Sequence, residues 1–518
     1  MRNALRTLSS MLLIMLVWGN RASCTSSPLQ RFEPVYWPTQ GWKNTLPEEQ
    51  GMDSAQLARM FEYIDSHEIP LHSLLIIRNG YLVTEAYWHP YGPSDKHSVE
   101  SITKSVIGTL IGIAIDQGKL KSTEQRLLDF FPDQTIKNLD SRKKSITLGN
   151  LLSMTPGLDC DDSKVQPGLD STIDWVQYFL DLPMASEPGE EWIYCSGAGH
   201  LLSAIIHNEI GTDTRTYANQ NLFTPLGISQ VAEQDWAHDP QRITNGMAGL
   251  YLTPRDLAKY GYLYLNRGKW AGQQQVSAQW VERSTREQAY IGNDEYVGGL
   301  DRRFGYFWSI FPEQQYYGYL GRGGQELFVV PEENLVIVFT GALRVGKEGS
   351  LLNLINDFIV PSILAESSIP ANSTSNAKLD SLIQDIAGTE QDVPVLPQIA
   401  QDISNNTYKL EPNFLGWSDM MFRFETGSDE AVLTMADSPN LKIGLDNRYR
   451  LTKSLNTRPI GLRGQWVKLD TLFLDYIIFG DFIRSEAYIT FADKEITIKI
   501  NYLNWDIPSI VIHGNLKE

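Results

Sequence analysis

The sequence predicts an α/β (α+β) domain, an antiparallel sheet flanked by helices, followed by a C-terminal all-β module of barrel-like type. Three observations predict it. Strand patterns stand near both ends of the first 360 or so residues with helical patterns between them, a layered arrangement rather than a run of βαβ units. After Pro361 the composition shifts to a stretch rich in Ser, Asn and Pro. From about residue 406 short strand patterns recur between turn signals.

The first residues read as an export signal over 1–24. Arg2 and Arg6 give the positive start, residues 9–18 the apolar core, and residues 19–24 a polar stretch suited to cleavage. The apolar run is too short for a spanning helix of about 20 residues. The expected location is therefore periplasmic or extracellular. Retention of the signal, or a lipid on Cys24, would give a membrane-anchored form, although Arg21 stands where lipid-attachment signals carry an aliphatic residue.

Within a domain expected over 25–364, residues 54–67 predict a helix with Leu57, Met60, Phe61 and Ile64 on one face. Residues 74–77 and 81–87 predict strands joined by Asn79-Gly80, a hairpin signal. A long helix is expected over 102–117, ended by Gly118. Mixed helical and loop segments run to about 290. A late strand pair, 325–330 and 335–340, is joined by the turn at 331–334, and 351–360 reads as a closing helix. Residues 365–401 read as a linker with a short helix near 379–386. The module at 402–518 carries strand candidates at 407–410, 421–424, 431–435, 441–445, 472–479, 487–491, 495–500 and 509–513.

Composition removes several classes of function. With 42% hydrophobic and 20% charged residues the chain is an ordinary globular one. A net charge of −18, with no basic run, argues against nucleic acid as a partner. Three cysteines and eight scattered histidines form no zinc-ligand pattern, and no metal or cofactor is expected. Whether Cys160 and Cys195 pair is left open by their spacing.

Ser-x-x-Lys occurs at Ser101/Lys104, Ser141/Lys144 and Ser375/Lys378. The second lies in a polar run and the third in the expected linker, whereas Ser101 opens an apolar helix. Residues three apart share a helix face, so Ser101 and Lys104 point to one side. A serine hydroxyl needs a neighbouring base, and a lysine serves as one in its neutral form. A helix N-terminus favours an oxyanion beside it. The competing interpretation is a capping serine with a solvated lysine.

Four further segments, in order, carry a resemblance. They are Ile146-Thr147-Leu148 through Leu151-Leu152-Ser153-Met154-Thr155-Pro156-Gly157-Leu158, Pro188-Gly189 leading to Tyr194-Cys195-Ser196, Gly249 to Ala258, and Gly321-Arg322-Gly323-Gly324-Gln325. With Ser101-Ile102-Thr103-Lys104 they resemble the serine β-lactamase and penicillin-binding-protein superfamily over about 46–360. Within it the chain is most similar to the class C β-lactamase-like esterases and 6-aminohexanoate-dimer hydrolases. The resemblance implies a transpeptidase-like fold, Ser101 as nucleophile, and Lys104 with Tyr194 as acid–base groups. It also implies an oxyanion hole of the Ser101 and Gln325 N–H groups. Gly323 and Gly324 would let substrate approach the strand closely.

Two positions depart from the family pattern. Ser196 replaces the usual asparagine after the tyrosine; literal Tyr-x-Asn copies at Tyr217, Tyr264 and Tyr502 lie in unsuitable contexts. Arg322 replaces lysine or histidine and either binds a substrate carboxylate or braces the strand. Asp159, Asp161 and Asp162 read as a solvated loop at the rim of the cleft. His200 reads as a packed or surface histidine, and no Gly-x-Ser-x-Gly elbow supports a Ser–His–Asp triad. The expected function is hydrolysis of a small-molecule ester or linear amide through an acyl-enzyme. The alternatives are β-lactamase or D,D-peptidase activity, or a non-catalytic penicillin- or peptide-binding protein.

Overall fold

The computed structural model describes residues 34–388, 392–393, 395–436, 440–453 and 458–517. The expected signal, with Cys24, lies outside the described residues. Val35–Glu518 forms one compact unit.

Asp53 starts the first helix by accepting the Ala55 N–H at 2.9 Å. That helix, α1 (Ser54–Ser66), buries Leu57, Met60, Phe61 and Ile64. Strands β1 (Leu71–Arg78) and β2 (Tyr81–Tyr87) follow, joined at Asn79 and Gly80, whose φ values of 52° and 82° suit a tight hairpin turn. Every residue of β1 is buried, because β1 lies inside the sheet with both faces covered. Helix α2 (Ile102–Asp116) is buried nearly all round, as expected of an apolar helix at the centre of a domain. Helices α3 (Ser196–Ile210) and α4 (Pro254–Leu265) pack beside it.

The sheet is completed by β3 (Ala289–Asp294), β4 (Leu300–Phe304), β5 (Ser309–Phe311), β6 (Tyr316–Gly321), β7 (Gln325–Val330) and β8 (Leu335–Gly341). Its antiparallel order is β2-β1-β8-β7-β6-β5-β4-β3. Side chains alternate across it. Leu75, Ile77, Leu327, Val329, Val336 and Val338 face the core that holds α2, whereas Leu74, Ile76, Phe328, Val330, Ile337 and Phe339 face the core that holds α1. The strands from β3 to β6 were not expected from the sequence. The closing helix expected over 351–360 is a succession of short helical turns, with a π-type segment at Ile355–Ile359.

In the segment expected as a linker, α5 (Ser373–Ile386) begins six residues before the sequence signal at 379, since Asn372 caps it through the Ser375 N–H. Its Leu379 is buried in the core shared with α1. Strands β9 (Thr407–Leu410), β10 (Asp419–Phe424), β11 (Glu430–Met435), β12 (Leu441–Gly444), β13 (Arg450–Thr452), β14 (Ile460–Lys468), β15 (Thr471–Ile478), β16 (Arg484–Ala492), β17 (Glu495–Tyr502) and β18 (Ile510–Leu516) make the module. Parallel pairing of Gly444 with Arg463 joins β12 to β14 and closes a nine-stranded barrel, with β13 on its edge. The interior is filled by Phe422, Phe491, Leu472, Ile496 and their neighbours. The barrel meets the first domain through stacked rings of Tyr91 and Phe479, 4.9 Å apart, and the Arg458–Asp235 ion pair at 3.1 Å.

Candidate active site

Ser101 stands at the N-cap of α2 but makes no side-chain capping bond. Its hydroxyl is therefore not committed to the helix, which removes the capping-serine interpretation. One turn on, Lys104 is only 1% exposed. Its Nζ lies 3.0 Å from Ser101 Oγ and 2.7 Å from the backbone oxygen of Met247. The same amine sits 5.1 Å from the centre of the Tyr194 ring. The two other Ser-x-x-Lys pairs make no such contact: Ser141 and Lys144 are exposed, and Lys378 pairs with Glu62 at 2.5 Å.

Met247 reaches Lys104 because two glycines let backbones touch. A Cβ on Gly199 of α3 would lie 2.4 Å from the Gly246 oxygen, and one on Gly246 would lie 2.1 Å from the Gly199 oxygen. The segment after Gly246 is held by Asn245, whose side-chain oxygen accepts the Met247 N–H at 2.8 Å.

Tyr194 precedes α3, and its hydroxyl lies 3.4 Å from that of Tyr319 on β6. Burial, and then the neighbouring Tyr194, push the Tyr319 phenol well above the ordinary tyrosine range. Ser196 opens α3 and gives both its N–H and its hydroxyl to Asp162, at 2.8 and 2.5 Å. Cys160 and Cys195 are joined in a disulfide with Cα atoms 5.3 Å apart. The bridge ties the Asp162 segment to the start of α3.

Ser101, Lys104, Tyr194, Ser196 and Arg322 line one cavity of about 610 Å³. Gly323, Gly324 and Gln325 do not line it. Gly323 is required by the barrel rather than by open space for substrate, for a Cβ there would lie 2.3 Å from Phe482 Cβ. A Cβ on Gly324 would meet Leu343 at 2.7 Å. The Gln325 side chain turns inward and donates to Arg322 O at 3.2 Å and Gly341 O at 2.8 Å.

Other cavity residues escaped the sequence reading. Asp162 does lie at the cleft, lining the cavity, but its carboxylate is fixed by Ser196 rather than simply solvated, while Asp159 and Asp161 form the outer part of that loop, paired with Lys164 and capping a short helix. Glu100 has a φ of 46° and accepts from Ser98 Oγ at 2.6 Å. Burial raises its carboxyl above the usual range, against the pull of Ser98, Arg322 and Lys104. Arg302 lies between the rings of Trp192 and Tyr296 and pairs with Asp294 at 2.9 Å. These residues are single, unpatterned positions on the loop before α2, the Cys160 loop and the unexpected strands, where sequence spacing gives no signal.

His200 does not line the cavity. It is buried on α3, with Nε2 3.1 Å from Asp239 Oδ2 and its ring against Trp175. Among the described residues no group of His, Cys, Asp and Glu is arranged to hold a metal ion.

A serine at a helix start, a lysine one turn later and a tyrosine at a second helix start, set between a helical layer and an antiparallel sheet, define the serine β-lactamase and penicillin-binding-protein class of fold. The Beta-lactamase family model matches residues 49–349, and the chain belongs to that family. It is a β-lactamase-fold hydrolase. The chain is 24% identical over 288 residues to a 6-aminohexanoate-dimer hydrolase of Paenarthrobacter ureafaciens, covering 51% of this chain and 71% of that protein. It is also 24% identical over 204 residues to Beta-lactamase-like protein 2 of Dictyostelium discoideum, covering 32% and 35% of the two chains. Among solved structures, the octameric penicillin-binding protein homologue from Pyrococcus abyssi superposes with a TM-score of 0.48 at 16% identity, over 88% of this chain and 99% of that one.

Proposed function

We propose that the protein hydrolyses ester or linear amide bonds through an acyl-enzyme on Ser101. The observation that carries this reading is the Lys104 amine 3.0 Å from a Ser101 hydroxyl that has no capping duty. In the first half-reaction Ser101 Oγ bonds to the substrate carbonyl carbon and its proton passes to Lys104 Nζ as the base. The tetrahedral oxyanion is met by the Ser101 N–H and the N-terminus of α2, without the Gln325 N–H that the family resemblance implied, since Gln325 does not line the cavity. Collapse breaks the bond to the alcohol or amine, which leaves with a proton supplied through Lys104 and Tyr194. Water then attacks the acyl carbon and gives a proton to the same pair; the Ser101 Oγ–acyl bond breaks, that proton passes to Ser101 Oγ, and the carboxylic acid leaves.

Two features favour an esterase or linear-amide hydrolase over a β-lactamase or D,D-peptidase. Ser196 has only a short hydroxyl, already committed to Asp162. Arg322 shares the rim with Glu100 rather than standing as an isolated cation for a substrate carboxylate. The Cys160–Cys195 disulfide supports export, since such bridges persist in oxidising compartments.

The test is labelling by a fluorophosphonate together with turnover of p-nitrophenyl esters, short linear amides, D-amino-acid peptides and a cephalosporin. Labelling lost in Ser101→Ala, with ester or amide turnover, supports the reading. Binding of penicillin or peptide without any turnover would leave the non-catalytic alternative.

A further inference from the structure

The cavity walls next to Ser101 are held from outside by the barrel. Among the described residues none beyond Glu348 lines the cavity, so the barrel acts through others. Three attachments converge on the wall. Asn504, fully buried in the turn after β17, donates through Nδ2 to Ala342 O at 2.9 Å and Leu343 O at 3.3 Å, and its own backbone oxygen accepts the Val345 N–H at 2.9 Å. Phe482, in the turn between β15 and β16, fills the space that any side chain on Gly323 would need. In the same turn Gly480 O accepts the Ser98 N–H at 2.7 Å, three residues before Ser101.

The two held segments are also bonded to each other. Leu343 N–H donates to Gly323 O at 3.0 Å. The Glu348 carboxylate accepts Gly323 N–H at 3.1 Å and Gly346 N–H at 2.7 Å. Arg322, Val345, Gly346 and Glu348, which do line the cavity, thus sit on a loop pair whose buried backbone polar groups are satisfied partly by barrel atoms. Buried groups of this kind must keep their partners or move to find others.

Resting on the hydrolase reading above, we propose that the barrel completes the active site, with Asn504 and Phe482 as positioning residues that hold the 322–324 and 342–348 walls against substrates larger than the reacting carbonyl. The barrel is then part of the specificity apparatus rather than an appendage that binds something of its own.

Asn504→Asp isolates this role. The remaining oxygens still accept the Arg484 N–H, now at 2.7 Å, so the barrel turn keeps its own bond. The two donors to Ala342 and Leu343 are lost. Turnover of p-nitrophenyl octanoate should fall on the order of tenfold to a hundredfold more than that of p-nitrophenyl acetate, chiefly through KM, as a displaced wall costs positioning. Backbone amides of 342–348 should exchange with deuterium faster. Phe482→Leu should act in the same direction and serves if Asn504→Asp does not fold. Equal loss for both esters, or no loss with unchanged exchange, overturns the proposal. A wild-type protein that neither labels nor turns over any ester defeats the hydrolase reading instead. Exchange at 342–348 then still decides whether the barrel holds the wall.

Discussion

The Lys104 amine donates to Met247 O at 2.7 Å while lying 3.0 Å from Ser101 Oγ. A neutral amine has two N–H groups and one lone pair. With an N–H directed to the Met247 carbonyl, the lone pair is free to take the Ser101 proton. Arginine keeps a positive charge but offers no lone pair and cannot deprotonate at working pH. Lys104→Arg should therefore lower kcat by on the order of 10²–10⁴, the usual cost of losing a general base. His200→Gln, a buried change away from the cavity, should reduce thermal stability and leave the folded enzyme active. An active Lys104→Arg enzyme beside an inactive His200→Gln one would sink the assignment.

Ser101→Ala removes only the attacking oxygen and should abolish both labelling and turnover with an unchanged melting temperature. Ser141→Ala and Ser375→Ala are the controls, since neither residue lines the cavity. Near-normal turnover by Ser101→Ala would require another nucleophile.

The contact between Gly199 and Gly246 makes a backbone test of the Lys104 site. A Cβ at Gly246 would lie 2.1 Å from Gly199 O, and neither atom belongs to a flexible side chain. Gly246→Ala must therefore push the Met247 segment away from α3, moving the carbonyl that Lys104 holds. Loss of turnover should exceed the loss of folded protein, which circular dichroism and active-site titration on one sample would separate. Turnover falling only in step with folded protein would show that the Met247 contact is structural.

Loss of the disulfide should cost stability and function together. It closes a separation of 35 residues, which in the chain-entropy view is worth about 3–4 kcal/mol. It also flanks the Asp162–Ser196 pair in the cavity wall. A Cys160→Ser/Cys195→Ser variant should melt lower and show a raised KM, and reductant should do the same to the parent protein but not to the variant. A variant insensitive in both respects would mean that packing alone fixes the loop.

Structure is most legible in the sequence where one physical requirement dominates a segment. Asn79-Gly80 needs positive φ at both positions, and the structure places both there. Ser101 and Lys104 stand three apart at a helix start, and the spacing alone brings them together. The strands at 289–321 were missed because Gly, Arg, Asp and Gln interrupt their alternation and their pairing is set by distant neighbours. Strand β14 was missed for a related reason. Gly461 and Gly464 lower its strand propensity, yet a Cβ at either would come within 2.7 Å of Ile477 or Leu474, so barrel packing requires them. Asp162 and Asn504 were illegible because each acts through a partner far away in the chain.

A last prediction concerns Glu326 on β7. It is fully buried, and among the described residues neither carboxyl oxygen has a hydrogen-bond partner. Burial first, and then the charge of nearby Glu348, hold its carboxyl well above the usual carboxylate range of about 4.5. A raised folded-state value means that the folded chain keeps a proton that the unfolded chain loses. The contribution to stability is therefore fully present below about pH 4.5 and is lost as the pH climbs toward the folded value. For one proton the slope is about −1.4 kcal/mol per pH unit in that window. Glu326→Gln keeps the shape and does not titrate, so stability measured from pH 5 upward should fall less steeply by about one proton. The slope is the readout rather than the absolute melting temperature, because the amide brings unpartnered N–H groups of its own. Identical slopes in the two proteins would show that Glu326 finds a partner, or water, that keeps it ionised in the folded state.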